Sequence, residues 1–287
     1  MEIIMDLCNL SVIKSVMAEA GITFRKEFGQ NFLTNRMIPE DIADNCADTP
    51  ESLIVEIGPG IGCLTKELAE RYKRVVAIEI DKGLIPVLSR TLADYDNITV
   101  INDDVMKVDL AELVEKYSEG MSVSVCANLP YYITTPILMR LLESGVRFSS
   151  ITVMVQKEVA DRLCAKPGSS DYGAITAVLG YYGSARRLFK VSAGCFVPAP
   201  KVDSAVVRID LFGEPEYKLL DEALFRNLIK AAFEQRRKTL INAVSAKMPE
   251  IQKSRLSEAL VSLGFDEKIR GERLSTLDFA NLSNLLA

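Results

Sequence analysis

Residues 53–62 read L-I-V-E-I-G-P-G-I-G, and this stretch decides the fold. A short apolar run passes straight into glycines. Such a run fits a buried strand, and the glycines let the backbone turn tightly and approach a ligand. Similar runs recur at 75–80 (V-V-A-I-E-I), 98–102 (I-T-V-I-N), 122–127 (S-V-S-V-C-A) and 150–155 (S-I-T-V-M-V). Between them lie segments with helical spacing, such as Leu64, Leu68 and Tyr72, or Leu84, Val87, Leu88 and Leu92. Buried strands alternating with amphipathic helices predict an α/β fold, a doubly wound parallel sheet covered on both faces. Ligands of such sheets sit beyond the carboxyl ends of the strands.

Outside this core the pattern changes. Residues 1–50 read as a helical extension, two helices joined by the loop F-R-K-E-F-G-Q-N-F-L. Gly and Pro in F-G-E-P-E-Y (212–217) break the chain again. Beyond it the apolar spacing is helical throughout: Leu224, Leu228, Ile229 and Ala232, then Leu256, Leu260 and Leu263, then Leu282, Leu285 and Leu286. We therefore expect a domain over 1–213, with its extension at 1–50, and a small all-helical domain over 214–287.

Composition narrows the chemistry. With 48% hydrophobic and 25% charged residues, the chain has the balance of a globular protein. No apolar run reaches membrane-span length, and M-E-I-I-M-D-L-C lacks the basic start and cleavage site of a signal peptide. The six cysteines are scattered without a C-x-x-C pair, which argues for reduced thiols and against a zinc site. These features predict a cytoplasmic protein without a metal. Histidine is absent, which excludes His-based triads and the usual general base. The net charge of −5 alone disfavours a polyanionic partner. Yet residues 226–255 carry eight basic residues against Glu234 and Glu250, a local +6 that suggests contact with nucleic acid.

The glycine loop suggests a nucleoside cofactor. Glu79 ends the second strand 19 residues beyond Gly60, where a carboxylate can accept from both ribose hydroxyls. NAD or FAD would require G-x-G-x-x-G, whereas Gly58, Gly60 and Gly62 form G-x-G-x-G. Glu56, two residues before Gly58, would repel a pyrophosphate but attract the ammonium and sulfonium of S-adenosylmethionine (SAM). SAM is the cofactor this loop favours. The third strand ends in N-D-D-V, where Asp103 or Asp104 is placed to accept from an adenine amine.

The fourth strand ends in N-L-P-Y-Y-I (128–133), an amide, a rigid turn and two aromatic rings where a buried strand stops. Taken in order, Q-N-F-L (30–33), E-I-G-P-G-I-G (56–62), E-I-D (79–81), D-V (104–105), N-L-P-Y-Y-I, F-V-P-A-P-K-V-D-S (196–204) and F-E-Q-R-R-K-T-L (233–240) resemble the ribosomal RNA adenine N6,N6-dimethyltransferases. The resemblance spans about residues 20–285. It implies a Rossmann-like SAM-dependent methyltransferase domain and a C-terminal helical domain that grips rRNA.

The form of the motifs is similar to the bacterial branch that dimethylates two adjacent adenosines near the 3′ end of 16S rRNA during small-subunit biogenesis. The partner implied is 16S rRNA within the 30S subunit, and the enzyme is expected to be a monomer. A 23S rRNA dimethyltransferase of the antibiotic-resistance type and a mainly assembly-directed role are the alternatives.

By this resemblance Gln30, Asn31, Leu33, Glu56, Gly58, Gly60, Glu79, Asp104 and Asn128 border the cofactor. Position 103 departs from the family's usual glycine, and Asp104 is taken as the adenine contact. Asn128, Leu129, Pro130, Tyr131 and Phe196 form the catalytic set. Asn128 and a backbone carbonyl aimed by Pro130 accept from the target amine, freeing its lone pair. Tyr131 and Phe196 stack on the flipped base, while Tyr132 is assigned to packing. Arg236, Arg237 and Lys238 are the RNA-binding candidates, and Arg208 is expected to be solvated or to face phosphate.

Overall fold

The computed structural model describes residues 5–22, 31–215 and 217–287. The chain divides into two compact units, one formed by 1–160 with 186–211, the other by 161–185 with 212–287.

In the first unit a seven-stranded sheet holds β2 (Ser52–Ile57), β3 (Arg74–Glu79), β4 (Ile98–Asn102), β5 (Ser122–Asn128), β6 (Ser150–Gln156), β7 (Gly183–Val191) and β9 (Ser204–Leu211). Their order is β4-β3-β2-β5-β6-β9-β7. β4, β3, β2, β5 and β6 pair in parallel, as their apolar runs imply. Direction changes at β9, which runs antiparallel to β6 with Gln156 opposite Ser204 and Ser150 opposite Asp210. The sheet is therefore mixed rather than wholly parallel. Every residue of β2 is buried, the mark of a strand covered on both faces.

The remaining elements of this unit are α1 (Leu10–Glu19), α2 (Met37–Asp44), α3 (Cys63–Arg71), α4 (Ile85–Thr91), α5 (Leu110–Ser118) and α6 (Thr134–Leu142). A two-stranded ribbon joins β1 (Phe32–Leu33) to β8 (Phe196–Val197), pairing Phe32 with Val197 and Leu33 with Phe196. This pairing brings Phe32 and Leu33 beside the start of F-V-P-A-P across more than half the chain.

The N-terminal segment is docked on the sheet. Ser150 and Thr152 of β6 donate to the carbonyls of Cys46 and Asn45 at 2.7 and 3.0 Å. The Tyr72 hydroxyl donates to Ala43 O at 2.7 Å. Arg208 of β9 is 5% exposed; it binds Asn45 O at 3.0 Å, Asp210 at 2.6 Å and Asp48. This corrects the expectation of a solvated or phosphate-facing Arg208. A side chain on a strand beneath the docked α2 segment is enclosed, and its guanidinium satisfies the Asn45 carbonyl at that segment's end.

The second unit is helical. It holds α8 (Ala174–Tyr182), α9 (Glu222–Glu234), α10 (Leu240–Lys247), α11 (Lys253–Ser262) and α12 (Thr276–Leu286). Between the units the chain passes through α7 (Lys157–Leu163) and β7. The sequence reading places the helical domain at 214–287; the compact unit also includes 161–185. The strongly apolar α8, A-I-T-A-V-L-G-Y-Y, explains this addition. Its Tyr181 ring lies 5.5 Å from that of Phe225 on α9.

Candidate active site

Strand order reverses about β2 and β5, so the loops that follow these strands diverge and leave a crevice at their carboxyl ends. A cavity of about 110 Å³ lies there. Asn31, Leu33, Glu56, Gly58, Gly60, Glu79, Asn128, Leu129 and Pro130 all line it. Four motifs far apart in sequence thus meet in one place.

Glu56 sits within β2 and is 1% exposed. Its Oε2 has no hydrogen-bond partner among the described residues. Burial pushes this carboxyl up to about 8; the Thr65 hydroxyl, outside hydrogen-bond geometry, opposes the rise and the Glu79 charge adds to it. A buried acid with an unpaired oxygen on a cavity wall is suited to receive a cation.

Glu79 ends β3 with both carboxyl oxygens engaged. Oε2 accepts from the Gly60 N–H at 3.1 Å and Oε1 from the Asp81 N–H at 2.8 Å. These bonds fix the carboxylate against the glycine loop and leave further lone pairs for a diol. Burial raises its pKa, while the Asp81 and Gly60 amides oppose the rise.

Neither aspartate of the N-D-D-V turn lines the cavity. The turn is nevertheless tied to Glu79, whose carbonyl accepts from Asn102 Nδ2 at 2.7 Å and Asp103 N at 3.1 Å. Asp103 Oδ1 accepts from Asp104 N at 2.7 Å, and Asp104 Oδ1 accepts from Met106 N at 2.9 Å. Asp103 is exposed and Asp104 half-buried.

At the end of β5, Asn128 Nδ2 donates to Asn31 O at 3.3 Å. The amide nitrogen is thereby committed to the protein, and the side-chain oxygen is presented as an acceptor. Leu129 is anchored by its N–H to Met154 O at 3.2 Å. Pro130 begins a turn closed by Ile133 N to Pro130 O at 3.2 Å, and Thr134 Oγ1 donates to the same carbonyl at 3.1 Å. The turn thus occupies the Pro130 carbonyl, while neither bond uses that of Leu129.

The aromatic residues are placed differently from one another. Tyr131 is half-buried and bonded through its hydroxyl to Ser204 Oγ at 2.6 Å. Tyr132 is 63% exposed and lines the cavity, which corrects its assignment to packing. Phe196 is 4% exposed and belongs to the core cluster containing Leu33 and Met154. Gln30 lies outside the described residues.

Sequence reading missed Phe32, Ile80 and Leu84 among the lining residues. Ile80 lies within E-I-D, but its 49% exposure on the cavity wall is visible only in the folded chain.

In the second unit Arg236, Arg237 and Lys238 occupy the turn between α9 and α10 rather than a helix face. Arg236 donates to Ser170 O at 2.9 Å and pairs with Glu272 at 3.3 Å. Arg237 and Lys238 are exposed, and neither side chain has an ion pair or hydrogen bond among the described residues. Other members of the basic run are partly neutralised: Arg226 by Glu222 at 3.1 Å and Lys247 by Glu234 at 2.6 Å.

The chain is similar to known proteins over nearly its whole length. "Ribosomal RNA small subunit methyltransferase A" of Alkaliphilus oremlandii is 46% identical over 274 residues, covering 96% of both chains. Its namesake from Streptococcus pneumoniae is 46% identical over 286 residues, covering 98% of both. Among solved structures, a dimethyladenosine transferase from Plasmodium falciparum superposes with a TM-score of 0.73 at 26% identity, covering 87% of this chain and 95% of its own. The 23S rRNA methyltransferase ErmE gives 0.66 at 26% identity, covering 89% and 99%. The family profile described as ribosomal RNA adenine dimethylase matches residues 21–287. The chain belongs to the ribosomal RNA adenine dimethylase family.

Proposed function

We propose that the protein uses SAM to dimethylate the N6 amines of two adjacent adenosines near the 3′ end of 16S rRNA, acting as a monomer on 30S particles in the cytoplasm. One observation carries this reading: the Glu56 carboxyl, whose Oε2 has no partner among the described residues, the Glu79 carboxylate and the Asn128 amide line a single cavity. The names of the two bacterial relatives support the small-subunit assignment. Among the described residues, no helix is long and apolar enough to cross a membrane.

The residues fit the cofactor. Glu56 would hold the methionine ammonium, Glu79 the ribose hydroxyls and Asp104 the adenine amine. Ile80 would provide an apolar wall, and Gly58 and Gly60 the close backbone approach. Asn31 and Leu33 border the same space, with Gln30 preceding them. SAM, when bound, supplies an electrophilic sulfonium methyl group.

The chain's own task is to prepare the nucleophile. An adenine N6 lone pair is conjugated with the ring and attacks poorly. Asn128 Oδ1 and the Leu129 carbonyl accept from the two N–H bonds, drawing the nitrogen toward tetrahedral geometry. Pro130 restricts Leu129 and so aims its carbonyl. Tyr131 stacks on the extruded base, a contact of roughly 1–3 kcal/mol per base; Phe196, 4% exposed in the ligand-free chain, would meet the other face only once the entering base uncovers it. No general base is required, because the cationic N-methyl product is acidic and loses its proton to water. A chain without histidine suits such a reaction.

Arg236, Arg237 and Lys238, in the 214–287 region, are proposed to contact rRNA phosphates. Offering unmodified small and large subunits separately tests the assignment. Label incorporated only into 16S rRNA is expected; label confined to 23S rRNA would transfer the protein to the other branch of its family.

A further inference from the structure

We propose that Ser204 is a positioning residue for methyl transfer: its hydroxyl, 2.6 Å from the Tyr131 phenol oxygen, fixes the ring on which the target adenine stacks. The inference rests on the reading of Tyr131 as the stacking platform.

The sheet register places the two groups together. Asn128 of β5 lies opposite Met154 of β6. Two residues further along β6, Gln156 lies opposite Ser204 of β9. The chain leaving β5 through N-L-P-Y therefore emerges beside the first residue of β9. Ser204 is fully buried, on a strand whose first six residues are buried, so its hydroxyl has a fixed origin. Tyr131, by contrast, lies on a turn and is only half-buried. A tyrosine held by its Cβ alone can swing about its first side-chain torsion. The phenol oxygen lies at the far end of the ring axis, so one bond there fixes where the axis points. Proline at 130 restrains the near end through the backbone. With both ends held, the ring is ordered before the base arrives, and that ordering is not charged to the reaction.

The same bond explains why the final serine of F-V-P-A-P-K-V-D-S accompanies N-L-P-Y in this chain. Its role is mechanical: no proton moves, and neither hydroxyl touches the reacting atoms. Phenylalanine at 131 retains the face for stacking and loses only the tether. A tether and a stacking platform therefore predict different results for Tyr131→Phe and Tyr131→Ala.

The test uses the full chain, undermethylated small-subunit particles and labelled SAM, with single-turnover rates measured for each variant. Tyr131→Phe and Ser204→Ala are each expected to slow transfer about five- to tenfold, with SAM affinity and particle KM unchanged. The double variant is expected to be no slower than either single one. A purely structural loss would instead move particle KM, SAM affinity or melting temperature.

Tyr131→Phe at the wild-type rate, with Tyr131→Ala strongly impaired, overturns the tether and leaves the platform intact. Fully additive effects in the double variant also overturn it. Tyr131→Ala at the wild-type rate removes the stacking reading itself. Should Ser204→Ala fail to fold, Tyr131→Phe decides the question alone.

Discussion

At the scale of single residues, the most informative group is Glu56. Its carboxyl has a folded pKa of about 8 against 4.5 for the free acid, so the folded, ligand-free protein holds a proton that the unfolded chain releases between these values. With respect to this group stability is therefore highest below about pH 4.5, falls as pH rises from there to about 8, and levels off above it. Glu56→Gln removes the slope. It is expected to stabilise the ligand-free protein by about 3 kcal/mol at pH 7, and by little at pH 4.5, measured by denaturant unfolding. The same variant should lose most of its SAM affinity, because the ammonium then has no counter-charge. In the wild type, the proposed pairing with the ammonium would lower the carboxyl's pKa again. SAM binding at pH 7 should thus release close to one proton, readable by titration calorimetry in buffers of different ionisation enthalpy.

At the scale of elements, the loop joining β2 to α3 is the part most tightly specified. Gly62 has φ of 93°, and an added Cβ would lie 2.9 Å from Leu92 Cδ2. Gly58 has φ of 72° but nothing within 4 Å of such an atom. Gly58→Ala should cost about 1–2 kcal/mol of stability from backbone strain alone. Gly62→Ala should cost a further 1–3 kcal/mol or so for overpacking, an ordering that thermal unfolding of the two variants checks.

This loop, its strand and the Glu79 carboxylate were legible because short apolar runs and glycines are local signals. β7 and β9 were not. β7 reads G-S-A-R-R-L-F-K-V, and its burial alternates irregularly because it lies at the sheet edge. β9, though apolar over much of its length, carries Arg208, whose enclosure depends on Asn45 and Asp48 far away in sequence. The pairing of β1 with β8 was invisible for the same reason. Two residues on each side give no periodicity, and only the fold brings them together. Tyr132 was misassigned because a sequence alone does not tell which of two adjacent aromatics turns outward.

At the scale of the whole molecule, a chain of net charge −5 must approach a polyanion. Internal ion pairs neutralise part of the basic run, and the turn between α9 and α10 keeps Arg237 and Lys238 exposed. Binding to small-subunit particles should weaken steeply with salt. Replacing Arg237 and Lys238 with alanine should each reduce the slope of log affinity against log salt by about one, without altering SAM affinity. An unchanged slope would place the phosphate contacts elsewhere.

The proposed reaction depends on Asn128 positioning an adenine amine beside a bound methyl donor. Its most direct test is nucleoside mass spectrometry of 16S rRNA after incubating undermethylated small subunits with SAM and either the wild-type protein or Asn128→Ala. N6,N6-dimethyladenosine is predicted with the wild type, and a rate lower by about two to three orders of magnitude with the variant at unchanged SAM affinity. Dimethyladenosine formed equally well by Asn128→Ala would contradict the account.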